Sequence, residues 1–328
     1  MTFHMPAEWA PHDWTWIGFP TNPAEWPGAF TQARQQIAAF ANALYAGGRG
    51  EEVRLVVANE ADAETARTLT DPGVTIVVQN LGDVWLRDTA PIAVLRGADR
   101  ALVDFGFNGW GGKYQMPGDE DIGARLAATT GLPVSTQHWI FEGGAVDTDG
   151  TGLFVTTEQC LLNPNRNPSL DRGKIETLLA GALGLSDMLW LGDGLLGDHT
   201  DGHVDNLARF VAPGLLALPE ATTEDDPNAA IYADARARAK AFGIDVASIP
   251  SPGRVVLDGE VIPASYMNFY VGNAAVIVPI YGQPNDQAAL DALSPFFPGR
   301  DIIGLPSDAI LSGGGSFHCS SQQMPSAG

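Results

Sequence analysis

An α/β fold built from five similar units is what this 328-residue sequence predicts, and three observations predict it. Short β-branched runs alternate with amphipathic helical segments along the whole chain. Five strand-turn-strand segments, each beside a helix, recur at roughly 60-residue intervals, long enough for one ββαβ unit each. Polar segments keep the same interval: Asp88, Glu142, His203, Asn268 and Cys319 are separated by 54, 61, 65 and 51 residues. One polar loop per unit is the pattern expected when units surround a shared pocket instead of stacking in a line.

The elements follow in order. Ile37, Phe40, Ala41 and Leu44 fall at helical spacing and form one apolar face. Val53–Val57 and Val74–Val78 read as strands, with a short helix over Asp62–Leu69 between them. Hairpins are expected at Gly144–Leu162, turning at Asp147–Gly150, and at Val204–Leu218, turning at Pro213-Gly214. Ile175, Leu178, Leu179 and Leu183 mark a helix between those two hairpins. The polar run Glu220–Asn228 reads as a surface loop. A further hairpin spans Tyr266–Pro279 around Gly272-Asn273, and Leu290, Leu293 and Phe297 mark a helix after Pro284 and Asp286. Nothing resembles a linker, so residues 1–328 read as one catalytic domain.

Composition removes several functions. Thirty-nine acidic residues against 18 basic ones give a net charge of −21, which disfavours nucleic acid and anionic membrane surfaces. With 45% hydrophobic and 17% charged residues the chain is not disordered. The first residues lack a basic, then apolar leader pattern, and no run is long enough for a membrane helix. Two cysteines, Cys160 and Cys319, make no disulfide framework, so a reduced, cytoplasmic setting is expected.

Four segments carry candidate chemistry. In Gly82–Pro91, Arg87 could close a loop through an aspartate, or Asp88 could present a carboxylate beside Trp85 to a planar guanidinium. Glu142, before Gly143-Gly144 and amid aromatics, is expected to be buried and to need either backbone amides or a histidine. His199, His203 and Asp205 admit a metal reading, but His-x3-His grips zinc from a helix and glycines crowd this stretch. An extended His203-Val204-Asp205 would instead set base and carboxylate on one face. Cys160 reads as a small buried hydrophobe. Cys319, after Gly313-Gly-Gly315 and beside His318, could be a nucleophile if an imidazolium or bound cation stabilised its thiolate.

Several strings occur together in order: Met5-Pro-Ala-Glu-Trp9, Asp83-Val-Trp-Leu-Arg-Asp88, Phe107-Asn-Gly-Trp-Gly-Gly-Lys113, Glu142-Gly-Gly144, Asp201-Gly-His-Val-Asp205, Ser265-Tyr-Met-Asn-Phe269 and Gly313-Gly-Gly-Ser-Phe-His-Cys319. Taken jointly they resemble the agmatine deiminase family, related to bacterial peptidyl-arginine deiminases within the pentein superfamily. The resemblance implies a pentein α/β-propeller, five ββαβ units around a pseudo-fivefold axis, working without metal or organic cofactor. It implies a hydrolase of small cationic guanidino compounds, and family members often form homo-oligomers. By position, Cys319 matches the nucleophile, His203 the general acid/base and Glu142 its orienting carboxylate. Asp88 and Asp205 match the guanidinium-holding pair, and Trp85 lines the site. Agmatine is the first expected substrate; arginine, peptidyl arginine, another alkylguanidine, or a non-catalytic binding role are the alternatives. Four features depart from the family pattern. His199 stands where an acidic residue is usual, Ser316 where asparagine is usual, and Trp16–Pro20 and Asn22–Pro27 differ from the common strings.

Overall fold

The computed structural model describes residues 2–257 and 259–327. Strand β1 (His12–Gly18) lies parallel to β2 (Glu52–Val57), and β2 parallel to β3 (Thr75–Val78). Parallel neighbours need crossovers, supplied by the helices Phe30–Tyr45 and Glu60–Leu69. The first helix buries Ile37, Phe40, Ala41 and Leu44 completely, as their spacing predicts. The second is N-capped by Asn59, whose side chain accepts from the Asp62 amide.

A three-strand unit then repeats four times. In the first, β4 (Ile92–Arg96) is antiparallel to β5 (Asp99–Gly106), and β5 is parallel to β6 (Val134–Ile140) across the helix Ile122–Thr130. The second joins β7 (Val146–Thr148), β8 (Leu153–Thr157) and β9 (Asp187–Leu191) across the helix Arg172–Leu183. The third joins β10 (Arg209–Ala212), β11 (Leu215–Glu220) and β12 (Asp245–Pro250) across Ala229–Phe242. A small hairpin, β13 (Val256–Leu257) and β14 (Glu260–Val261), precedes the fourth. That unit joins β15 (Tyr270–Val271), β16 (Ala275–Ile280) and β17 (Asp301–Pro306) across Asp286–Leu293. The fifth is made from both ends of the chain, because β18 (Ser321–Pro325) pairs antiparallel with β1. The architecture is therefore the expected five-unit pentein propeller, with its ring closed by the two termini.

The units also explain the spacing of the polar residues. Each lies in the segment leading into the first strand of its unit: Asp88 before Ile92, Glu142 before Val146, His203 before Arg209, Asn268 before Tyr270 and Cys319 before Ser321. Repetition around a ring brings those five entry segments together.

One local expectation fails. His203-Val204-Asp205 is not extended; Val204–Asn206 is a 3-10 turn and the strand begins only at Arg209. Leu207 and Ala208 donate their amides back to the Val204 carbonyl at 2.8 and 2.7 Å, so local turn bonds replace a sheet ladder there. Among the described residues no helix is long and apolar enough to cross a membrane.

Candidate active site

The entry segments meet at a cavity of about 270 Å³, whose lining includes Trp85, Asp88, Trp110, Tyr114, His199 and Cys319. Gly144 forms the point of closest approach. A Cβ there would lie 2.6 Å from His203 Nδ1, 3.0 Å from Asp88 Oδ1 and 3.1 Å from Asp205 Oδ2, so those three groups converge on a space only glycine leaves open. We expect Gly144→Ala to lower turnover at least about tenfold by displacing His203. Steady-state kinetics on the folded variant would test this, and wild-type turnover would refute it.

The base is held from behind. His203 Nε2 lies 3.2 Å from Glu142 Oε2, which leaves Nδ1 facing Gly144 and Asp88, with no hydrogen-bond partner of its own. Glu142 is 1% exposed and takes the histidine rather than backbone amides as its partner, together with Arg166. Burial alone would depress the imidazole, but Asp88, then Cys160 and Glu142 beside it, hold it well above its ordinary value. Glu142 itself stays below the usual glutamate range; burial opposes this and His203 and Arg166 outweigh it. At neutral pH the pair is imidazolium and carboxylate.

Two carboxylates flank the thiol. Asp205 Oδ2 lies 3.5 Å from Cys319 Sγ and accepts from His318 Nδ1 at 2.7 Å, while Asp205 Oδ1 is buried without a partner. Asp88 Oδ1 accepts from the Gly144 amide and Oδ2 from Trp110 Nε1, each at 2.9 Å. Asn268 Nδ2 donates to Cys319 Sγ at 3.0 Å. Burial, then Asp205 and Asp88, push the Cys319 thiol well above its ordinary value. Without a cation in the site the sulfur is a neutral thiol. Burial also raises Asp88, whereas Asp205 is kept low against its burial by His318.

Beneath them, Glu8 accepts from His318 Nε2 at 2.9 Å, Arg209 Nη2 at 2.8 Å, Arg87 Nη2 at 3.3 Å and the Val271 amide at 2.8 Å. Arg87 is thus paired with Glu8 and with Gln322 and Gln323, and the loop-closing bridge to a neighbouring aspartate, one of the two alternatives its sequence context left open, is not formed.

All six predicted residues are brought to this site or its wall. His199 lines the cavity too, but it stacks on Tyr114 (centroids 6.0 Å apart), and the donor atoms of His199, His203 and Asp205 do not form one cluster. Those of Glu142, Cys160 and His203 do lie together, but Arg166 already engages both oxygens of Glu142. Cys160 is buried as expected, yet its sulfur sits 3.9 Å from Glu142 Oε2. Sequence reasoning missed Trp110, Glu8 and Arg166. The first two lie in recognisable strings, whereas nothing in Asn163-Pro-Asn-Arg-Asn-Pro168 signals a buried arginine.

The cavity wall also carries Glu25 and Asp83, and among the described residues no lysine or arginine lines it. Burial, with Asp119 and Glu25 nearby, pushes Asp83 up to about 8.

The chain matches the family model described as Porphyromonas-type peptidyl-arginine deiminase over residues 4–325. It is 37% identical to the agmatine deiminase of Stutzerimonas stutzeri, over 98% of this chain and 95% of that one. Among solved structures it superposes on the agmatine deiminase of Enterococcus faecalis with a TM-score of 0.91, at 29% identity, covering 99% and 96% of the two chains. A Cys→Ser variant of the C. jejuni agmatine deiminase with substrate bound gives 0.92, at 28% identity and the same coverage.

Proposed function

This chain belongs to the Porphyromonas-type peptidyl-arginine deiminase family, and from that premise we propose that it hydrolyses agmatine to N-carbamoylputrescine and ammonia. We take residues 1–328 as one catalytic domain acting in the cytoplasm; both cysteines are free, in keeping with a reducing compartment. The observation that carries the reading is the charge distribution of the cavity. Cys319 sits beside Asp205 and Asp88, Glu25 lines the same cavity, and among the described residues no lysine or arginine does.

A dication with a guanidinium at one end and an ammonium at the other matches these groups, Asp88 and Asp205 meeting the first and Glu25 the second. Asp205 Oδ1, buried and unpartnered, is placed to accept a guanidinium N–H, and Asp88 supplies the second carboxylate. The bound cation offsets the two charges that keep Cys319 protonated, so the thiol releases its proton to solvent and the thiolate forms beside the guanidinium carbon. Sulfur attacks that carbon and gives a tetrahedral adduct. His203, as imidazolium, delivers its Nδ1 proton to the departing nitrogen, and ammonia leaves. The neutral imidazole then takes a proton from water, which adds to the amidino-cysteine carbon. Collapse breaks the C–S bond, releasing the ureido product and the thiolate. Trp85 and Trp110 wall the reacting plane.

The same charge pattern argues against arginine, because an α-carboxylate would enter a cavity that carries Glu25 and, among the described residues, has no lysine or arginine to meet it. Ammonia and ureido-product release should favour agmatine over arginine and over guanidinobutyrate by at least about 100-fold in kcat/KM, roughly the 3 kcal/mol of one misplaced charge. Glu25→Gln should narrow that ratio. A preference for arginine would overturn the substrate while leaving deimination standing.

A further inference from the structure

We propose that Arg166 is a positioning residue for this reaction: it fixes the Glu142 carboxylate that orients His203. The inference rests on the deiminase reading above and extends it to a side chain that never meets the cavity.

Arg166 is 5% exposed and spends its guanidinium on the site's rear wall. Nε shares its N–H between both Glu142 oxygens, at 2.8 and 3.1 Å, which holds the carboxylate from behind. Nη1 donates to Asp201 Oδ2 at 2.5 Å and to Asn165 Oδ1 at 2.9 Å, and Nη2 to the Thr200 carbonyl at 2.7 Å. Asp201 and Thr200 belong to the loop that carries His199 and His203. Asp201 holds a left-handed φ of 64°, a conformation a non-glycine residue keeps only when its surroundings fix it.

A second loop is tied to the same point. Lys113 Nζ lies 2.8 Å from Asp201 Oδ1 and donates to the His199 carbonyl at 2.5 Å. Asn108 Nδ2 donates to the Asn165 carbonyl at 2.9 Å. This loop carries Trp110 and Tyr114, both on the cavity wall. Arg166 therefore lies where the two wall loops and the His203–Glu142 pair meet. A planar fork suits that position in a way a single ammonium does not.

The functional consequence lies in kcat. Glu142 contacts His203 and not the cavity lining, so misorienting it degrades proton transfer and leaves ground-state substrate binding intact. Arg166→Met should lower kcat for agmatine at least about 100-fold with KM within about threefold. Arg166→Lys, which keeps the charge and can meet one Glu142 oxygen, should lose about tenfold in kcat, again with KM nearly unchanged. Thermal unfolding and iodoacetamide labelling of Cys319 would establish that each variant retains the folded site. Should the methionine variant not fold, the lysine variant decides alone. Wild-type kcat in a folded variant, or a loss carried by KM, overturns the positioning role while wild-type turnover keeps the deiminase reading. Absence of ammonia release from every guanidine by the wild-type protein overturns both.

Discussion

Replacing Cys319 with alanine should reduce ammonia release from agmatine by more than about 10³-fold and leave the fold intact. The carbon of a resonance-stabilised guanidinium is a poor electrophile, and without sulfur only water could attack it. Cys160→Ala provides the contrast. That thiol is buried behind Glu142 and burial raises it, so its loss should cost far less than that of Cys319. Turnover surviving in Cys319→Ala would sink the covalent route.

A pH signature belongs to the same nucleophile. In the free protein the Cys319 thiol lies well above its ordinary value, pushed there by burial and by Asp205 and Asp88. Such a group is protonated at neutral pH and ionises only as pH rises through its elevated pKa, or when a cation arrives. Iodoacetamide alkylation of free protein should therefore climb only at high pH. The ascending limb of kcat, set in the complex, should sit at distinctly lower pH because the guanidinium favours the thiolate. Coincident limbs would mean that the substrate does not activate the sulfur.

The sequence showed more of the site than of the ring that builds it. The interval between polar segments placed Asp88, Glu142, His203, Asn268 and Cys319 in one pocket, and the structure explains why. Each precedes the first strand of a repeated unit, so equal sequence steps become equal rotations. Closure of the ring left no such trace. Strand β18 reads Ser-Gln-Gln-Met-Pro, three polar residues first and no β-branched one, yet all five are buried. Gln322 and Gln323 are inside because they accept from Arg87 Nη1, a partner 235 and 236 residues away, and no local pattern encodes such a pairing. The same holds for Arg166. A buried cation becomes intelligible only once Glu142 and Asp201 lie beside it. Local pattern also misjudged His203-Val204-Asp205, where strand propensity lost to a turn that returns two amides to the Val204 carbonyl.

The most discriminating substitution is Asp205→Asn, because it should move two observables in opposite directions. Asp205 is fully buried, kept ionised by His318 against the cost of burial, and has one oxygen with no partner. Such a carboxylate is preorganised for a cation, so neutralising it removes a desolvated charge pair from the complex. Losses of this kind cost about 3–5 kcal/mol, and kcat/KM for agmatine should fall roughly 10²- to 10⁴-fold. In the free protein the sign reverses. Asp205 is the foremost of the charges that hold the Cys319 thiol protonated, so its removal should lower that pKa and speed alkylation at neutral pH. A merely damaged site would be slow by both measures. A faster thiol in a slower enzyme would show that Asp205 opposes the nucleophile until a guanidinium stands between them, and unchanged alkylation would remove Asp205 from that role.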